Sequence, residues 1–188
     1  MEKVKEVVSK NGLYIKLGAL VVAFIGMFMD FLKISAKGSK YSISASYLNF
    51  KDLWDGLEDK ENGLGVLVLI LIIVTVVYLL AEKYAKDLYE KVPAKIAPYV
   101  TLVTSGVAFL AVLYDAITAK SRMINASVKA IKSIMGNEYA KTYAKELKKE
   151  VQVTPQIGCI LIALGLAVVV AIVVYEQFFM NKKTAEAK

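Results

Sequence analysis

The chain has 188 residues, 57% of them apolar, with a mean hydropathy of +0.52 and a net charge of +7. A water-soluble domain of this size does not carry that much apolar surface, so the composition points to a membrane. Histidine is absent and Cys159 is the only cysteine, which excludes the common zinc sites, histidine-activated nucleophiles, histidine proton relays and any disulfide within the chain.

A hydrocarbon core about 30 Å thick takes roughly 20 apolar residues per helix. The first candidate falls short, because Leu17 to Met29 gives 13 uncharged residues between Lys16 and Asp30. It spans if the lysine stem snorkels and the aspartate reaches the headgroups, which sets the first helix at 13–34. No small-x-small cleavage site follows the apolar run cleanly, so this helix is expected to act as an uncleaved anchor.

The segment 35–62 reads differently. Tyr41, Ile43, Ala45 and Tyr47 alternate with Ser42, Ser44 and Ser46, and upstream Leu32, Ile34 and Ala36 alternate with Lys33, Ser35 and Lys37. Period two on both sides of Gly38 and Ser39 predicts a β-hairpin growing out of the first helix, which would then end a few residues before Ile34. Such a hairpin is marginal alone and must pack on something. Phe50, Leu53, Trp54 and Leu57 recur at helical spacing behind Asn49 as N-cap, predicting a short amphipathic helix on the membrane surface. Trp54 there is either a headgroup anchor or a partner-facing hot spot. Tyr41, Ile43, Tyr47, Phe50, Trp54 and Leu57 are the candidate partner-contact residues.

Asn62 and Gly63 open the second span, whose 18 uncharged residues run 64–81, and a turn over 82–95 follows. The third span, 96–118, contains 19 uncharged residues from Ile96 to Tyr114, with Ala97, Thr101 and Ser105 as a small packing face. Ile124, Val128, Ile131 and Met135 carry its apolar stripe onward until Gly136 and Asn137 interrupt it. Tyr139, Tyr143, Leu147 and Val151 form a second stripe among lysines, so 119–155 is expected to be a helical hairpin that packs its stripes together or lies on lipid. The fourth span is 156–179, followed by a tail at 180–188. In it Cys159, Ala163, Ala167 and Ala171 make a ladder of small residues suited to helix packing.

Asp30 and Asp115, near the ends of the first and third spans, are candidates for a pore mouth or ion contact, since acids within membranes are functional candidates by default. The Tyr114-Asp115 pair is similar to the Tyr-Asp of intramembrane aspartyl proteases, but their Gly-x-Gly-Asp motif is missing. On the opposite side Lys16, Glu82 and Glu176 can pair. Inverted repeats and broken helices, the signs of a solute transporter, are not evident.

Lysine and arginine near the membrane ends set orientation. Eleven lie on the side of the termini and thirteen on the other, but eight of the thirteen are spread through 119–155. Long segments obey the rule less strictly, which favours both termini in the cytoplasm. The expected partners are anionic headgroups of the bilayer and either a second copy or another membrane protein. No nucleic-acid motif accompanies the charge. No cofactor or metal is expected.

This layout resembles the claudin and peripheral-myelin-protein type of tetraspan: four membrane helices, cytoplasmic termini and a strand-forming first outer loop with tryptophan. It is also similar to small bacterial four-helix membrane proteins. Claudins carry Gly-Leu-Trp and a cysteine pair in that loop, whereas this chain has Leu53-Trp54-Asp55-Gly56-Leu57 and no loop cysteine. No functional residue carries over. Lack of loop cysteines also separates the chain from tetraspanins and connexin-like channels, whose outer loops are disulfide-tied.

The expectation is an all-α integral membrane protein: a four-helix transmembrane bundle with a small extracytoplasmic β-hairpin after the first helix and a helical extension after the third. It would be non-enzymatic and act through protein contacts as a scaffold, accessory or sensor subunit, or immunity protein. The alternative is the protomer of an oligomeric pore.

Overall fold

The computed structural model describes residues 2–48, 63–90, 92–93 and 96–180. The order is α1 (Glu2–Gly26), β1 (Asp30–Ala36), β2 (Ser42–Ser46), α2 (Gly63–Tyr84), the single turn α3 (Lys86–Tyr89), α4 (Ala97–Met135), α5 (Asn137–Glu150), β3 (Val151–Pro155) and α6 (Ile157–Tyr175), which continues as a π-turn over Glu176–Met180. Four stretches, Lys5–Gly26, Leu64–Tyr84, Tyr99–Met135 and Ile157–Met180, are long and apolar enough to cross a membrane. This points to a multi-pass membrane protein. α2 and α6 are rich in valine and isoleucine, poor helix formers in water. In hydrocarbon each backbone group must be satisfied within its own segment, and a helix does that.

α1 stops at Gly26, short of the expected 34, and winds down through bonds from Met27 to Phe24 and from Met29 to Gly26. Two causes end it there. Gly26 lies against α6, where an added Cβ would stand 2.9 Å from the Gly158 carbonyl, and the alternating residues from Leu32 onward satisfy their backbone in a sheet.

That sheet is antiparallel with order β2-β1-β3. The hairpin pairs Ile34 with Ile43 and Leu32 with Ala45, with an irregularity between Asp30 and Leu32. Gly38, at φ +80°, supplies the left-handed turn. The third strand corrects the helical reading of 119–155. Val151–Pro155 is extended and pairs Val153 with Ile34 and Val151 with Ala36. Ile34, Ile43 and Val153 thus share one face, and Lys33, Ser44 and Thr154 the other. The Phe50, Leu53, Trp54 and Leu57 helix lies outside the described residues.

α4 is one helix of 39 residues that ends at Gly136, φ +86°. Of its distal stripe, Ile124 is buried, Val128 and Ile131 half-buried and Met135 exposed. The stripe expected on α5 does not pack as a unit: Tyr139 and Tyr143 are exposed, Leu147 is half-buried and Val151 is buried but lies in β3, while Ala140 is the buried residue of α5.

In the bundle, α6 is the central helix, packed along its length by α1 and also by α4, and α4 in turn packs on α2. Leu20, Met27, Ile72, Val112, Ile162 and Leu166 are core residues. α1 begins and α6 finishes at one end of the bundle, with Gly12 against Glu176. The sheet sits at the other end.

Candidate functional site

The sheet joins the bundle at Tyr47, which follows β2 and is 1% exposed. Its ring centroid lies 4.4 Å from that of buried Phe31. Its carbonyl sits against the first turn of α2, where a Cβ on Gly65 would stand 2.9 Å away. Its hydroxyl donates to Oδ2 of Asp115 at 2.8 Å, and Arg122, two turns along α4, donates to Oδ1. Asp115 is 0% exposed, so its charge is matched by one cation and both oxygens are bonded, as a buried carboxylate requires. Burial first, and then the neighbouring Asp115 carboxylate, hold the Tyr47 phenol well above its ordinary pKa, so it remains a neutral donor. These contacts tie the end of β2 to both α2 and α4.

Asp30 is separate from this group. It is exposed at the start of β1 and accepts from Ser44 Oγ at 2.8 Å. Among the described residues the two acids share no partner. Tyr47 is buried in the clasp, whereas Tyr41 is 88% and Ile43 64% exposed along the hairpin. Phe50, Trp54 and Leu57 lie outside the described residues.

The small-residue faces are distributed differently from the spacing-four ladder. On α6 Cys159 is buried, Ala163 and Ala167 are half-buried and Ala171 is exposed. The close approach to α1 is made by Gly158 and Gly165. A Cβ on Gly165 would overlap the Ala19 carbonyl, and one on Gly158 would stand 2.7 Å from three carbonyls. Steps of four residues rotate about 40° per step away from a 3.6-residue helix face, so a ladder begun at Cys159 leaves the interface by Ala171. On α4, Ala97, Thr101 and Ser105 are buried, and Thr104 shares a 2.7 Å hydrogen bond with buried Thr75 of α2.

At the other end Lys16, only 7% exposed, donates to Glu176 Oε2 at 2.8 Å. A cavity of about 230 Å³ opens beside the pair, lined also by Tyr78, Glu82, Tyr89 and Thr101. This braces α1 against the end of α6, and unlike Asp115 it has room for water.

Sequence reasoning passed over Arg122. The signal was present: it is the one arginine among 24 basic residues. Arginine keeps its charge when buried and offers a rigid fork of donors to a carboxylate, so a lone arginine seven residues beyond a membrane aspartate marks a pair.

Large apolar side chains are also exposed where α4 meets α5: Ile134 at 79%, Met135 at 62% and Tyr139 at 70%. Among the described residues no group of three His, Cys, Asp or Glu is placed to hold a metal ion. No family model, curated protein or solved structure matches the chain.

Proposed function

We propose that the chain is a non-enzymatic four-span membrane protein whose sheet end stands outside the cytoplasm and works by protein contacts, as a scaffold, an accessory or sensor subunit, or an immunity protein. The exposed corner between α4 and α5 carries this reading. The stretch Tyr99–Met135 is about 55 Å long, well over a hydrocarbon core of about 30 Å, and its uncharged run ends at Tyr114, so the far end of α4 with Ile134 and Met135, and Tyr139 after it, stands beyond the membrane. Lipid accounts for exposed valines and leucines along the spans; it does not account for this patch, and apolar patches beyond the membrane mark contact sites. The hairpin tip with Tyr41 and Ile43 extends the same argument. The clasp at Tyr47 favours a fixed platform, which lowers the ordering cost of binding.

Both termini are assigned to the cytoplasm, consistent with the short lysine-bearing segments at that end. The claudin-type tetraspan layout is supported by four spans and a hairpin in the first extramembrane segment, to which the segment before the fourth span adds a third strand. The partner is a second copy or another membrane protein.

Photo-crosslinking from positions 41, 134 and 139 in native membranes tests the proposal. One product of defined mass, lost in Ile134→Ser/Tyr139→Ser, is the expected result. Ring-shaped oligomers that conduct ions in planar bilayers, with conductance altered by Asp30→Asn or Asp115→Asn, would replace it with the pore reading. Labelling of Ser39→Cys only from the cytoplasmic side would reverse the orientation.

A further inference from the structure

α1 gives its small-residue face to α6, and α2 gives most of its buried stripe to α4, so these two helices touch only lightly. Between them lies an apolar groove of about 250 Å³, with Leu20 and Ile72 on its floor and Phe24, Val76 and Val77 among its walls. Toward the terminus end the same pair of helices, joined by Glu176 from the end of α6, lines a second cavity of about 440 Å³, with Lys10, Tyr14 and Lys16 from α1 and Leu79, Glu82 and Lys83 from α2. The two follow one another along the cleft. From Ile72 to Lys83 the path is about 16 Å, close to half of a hydrocarbon core about 30 Å thick.

The charges at the polar end are not all matched. Lys16 is paired with Glu176 at 2.8 Å and Lys10 with Glu6 at 3.0 Å. Lys83 has no carboxylate partner among the described residues; it donates to the Tyr14 hydroxyl at 2.6 Å and lies 4.3 Å from the centroid of that ring. Glu82 has no cation partner among the described residues either. A lysine with donors to spare beside a tyrosine hydroxyl suits a phosphodiester, and an adjacent free carboxylate suits an ammonium.

We infer that the α1–α2 cleft binds one zwitterionic amine phospholipid from the leaflet at the terminus end. Its phosphate meets Lys83 and Tyr14, its ammonium meets Glu82, and one acyl chain fills the groove over Leu20 and Ile72. The inference rests on the membrane reading of the spans and is independent of any protein partner.

The full chain is reconstituted with equimolar phosphatidylethanolamine and phosphatidylglycerol, one lipid at a time bearing a diazirine on its acyl chain. Retained lipid is counted by native mass spectrometry and crosslinks are mapped. One phosphatidylethanolamine per protomer should be retained, crosslinked to residues 20–24 and 72–77. Lys83→Gln, at the accessible polar end, should lower retention about tenfold, the worth of one charge-assisted hydrogen bond. Glu82→Gln should abolish the preference over phosphatidylglycerol. Val76→Phe should remove the cleft crosslinks, while Val103→Phe, on an exposed face of α4, should leave them. Preference for phosphatidylglycerol, crosslinks spread evenly over all four spans, or unchanged retention in Lys83→Gln would overturn the inference. Absence of acyl crosslinks on every span would instead fail the membrane reading itself.

Discussion

A buried ion pair braces each end of the bundle, and the two differ in what surrounds them. At the sheet end the Asp115 carboxylate is wholly enclosed and held by Arg122 and the Tyr47 hydroxyl. In each pair one member is buried and the other reaches solvent, in opposite order: at the sheet end the Arg122 side chain is 35% exposed, whereas at the terminus end Lys16 is the buried member and the Glu176 side chain, 30% exposed, meets it beside a cavity. The same chemistry therefore serves two purposes. A dry carboxylate leaves no alternative partner and fixes the sheet to the bundle, whereas a pair beside water tolerates loss of one member.

Removing the cation from the enclosed carboxylate is the strongest way to test this contrast. Arg122→Met should destabilise the protein by about 3–5 kcal/mol, because Asp115 is left charged and buried; thermal unfolding in mild detergent reads the change, and Arg122→Lys should restore part of it. Tyr47→Phe should cost about 1.5–3 kcal/mol, one hydrogen bond to a charged acceptor. The raised Tyr47 pKa has a defined sign: its stabilisation is complete below the ordinary phenol value of about 10 and is lost as pH rises above it. The wild type should thus lose more stability than Tyr47→Phe between neutral and strongly alkaline pH.

At the other end Lys16→Met should cost only about 1 kcal/mol, since water can enter beside Glu176. A loss equal to that of Arg122→Met would erase the distinction between the ends. Smallest of all, Tyr41→Ser and Ile134→Ser should change stability by no more than about 0.5 kcal/mol, as expected for exposed positions, while weakening crosslinking to a partner.

Much of the fold was legible because two periodicities are strong in this chain. Long uncharged runs at 64–81, 96–114 and 157–175 leave little but spanning helix, and alternation around Gly38 leaves little but a hairpin. The third strand was hidden. Val151 falls four residues after Leu147, so it continues a helical stripe, and only pairing with β1 gives Val151–Pro155 its extended form. Likewise no local pattern joins Tyr47 to Asp115, which are 68 residues apart. The alanine ladder of α6 misdirected attention because spacing of four looks regular in a sequence but spirals around a helix; the contact falls to Gly158 and Gly165.

The measurement that bears most directly on the clasp is hydrogen exchange of the detergent-solubilised protein, comparing the wild type with Tyr47→Phe. The account predicts faster exchange, by about 10- to 100-fold, in β1 and β3, with the α1–α6 contact around Gly165 unchanged. Unaltered protection in the sheet, or equal loss at both ends of the bundle, would contradict it.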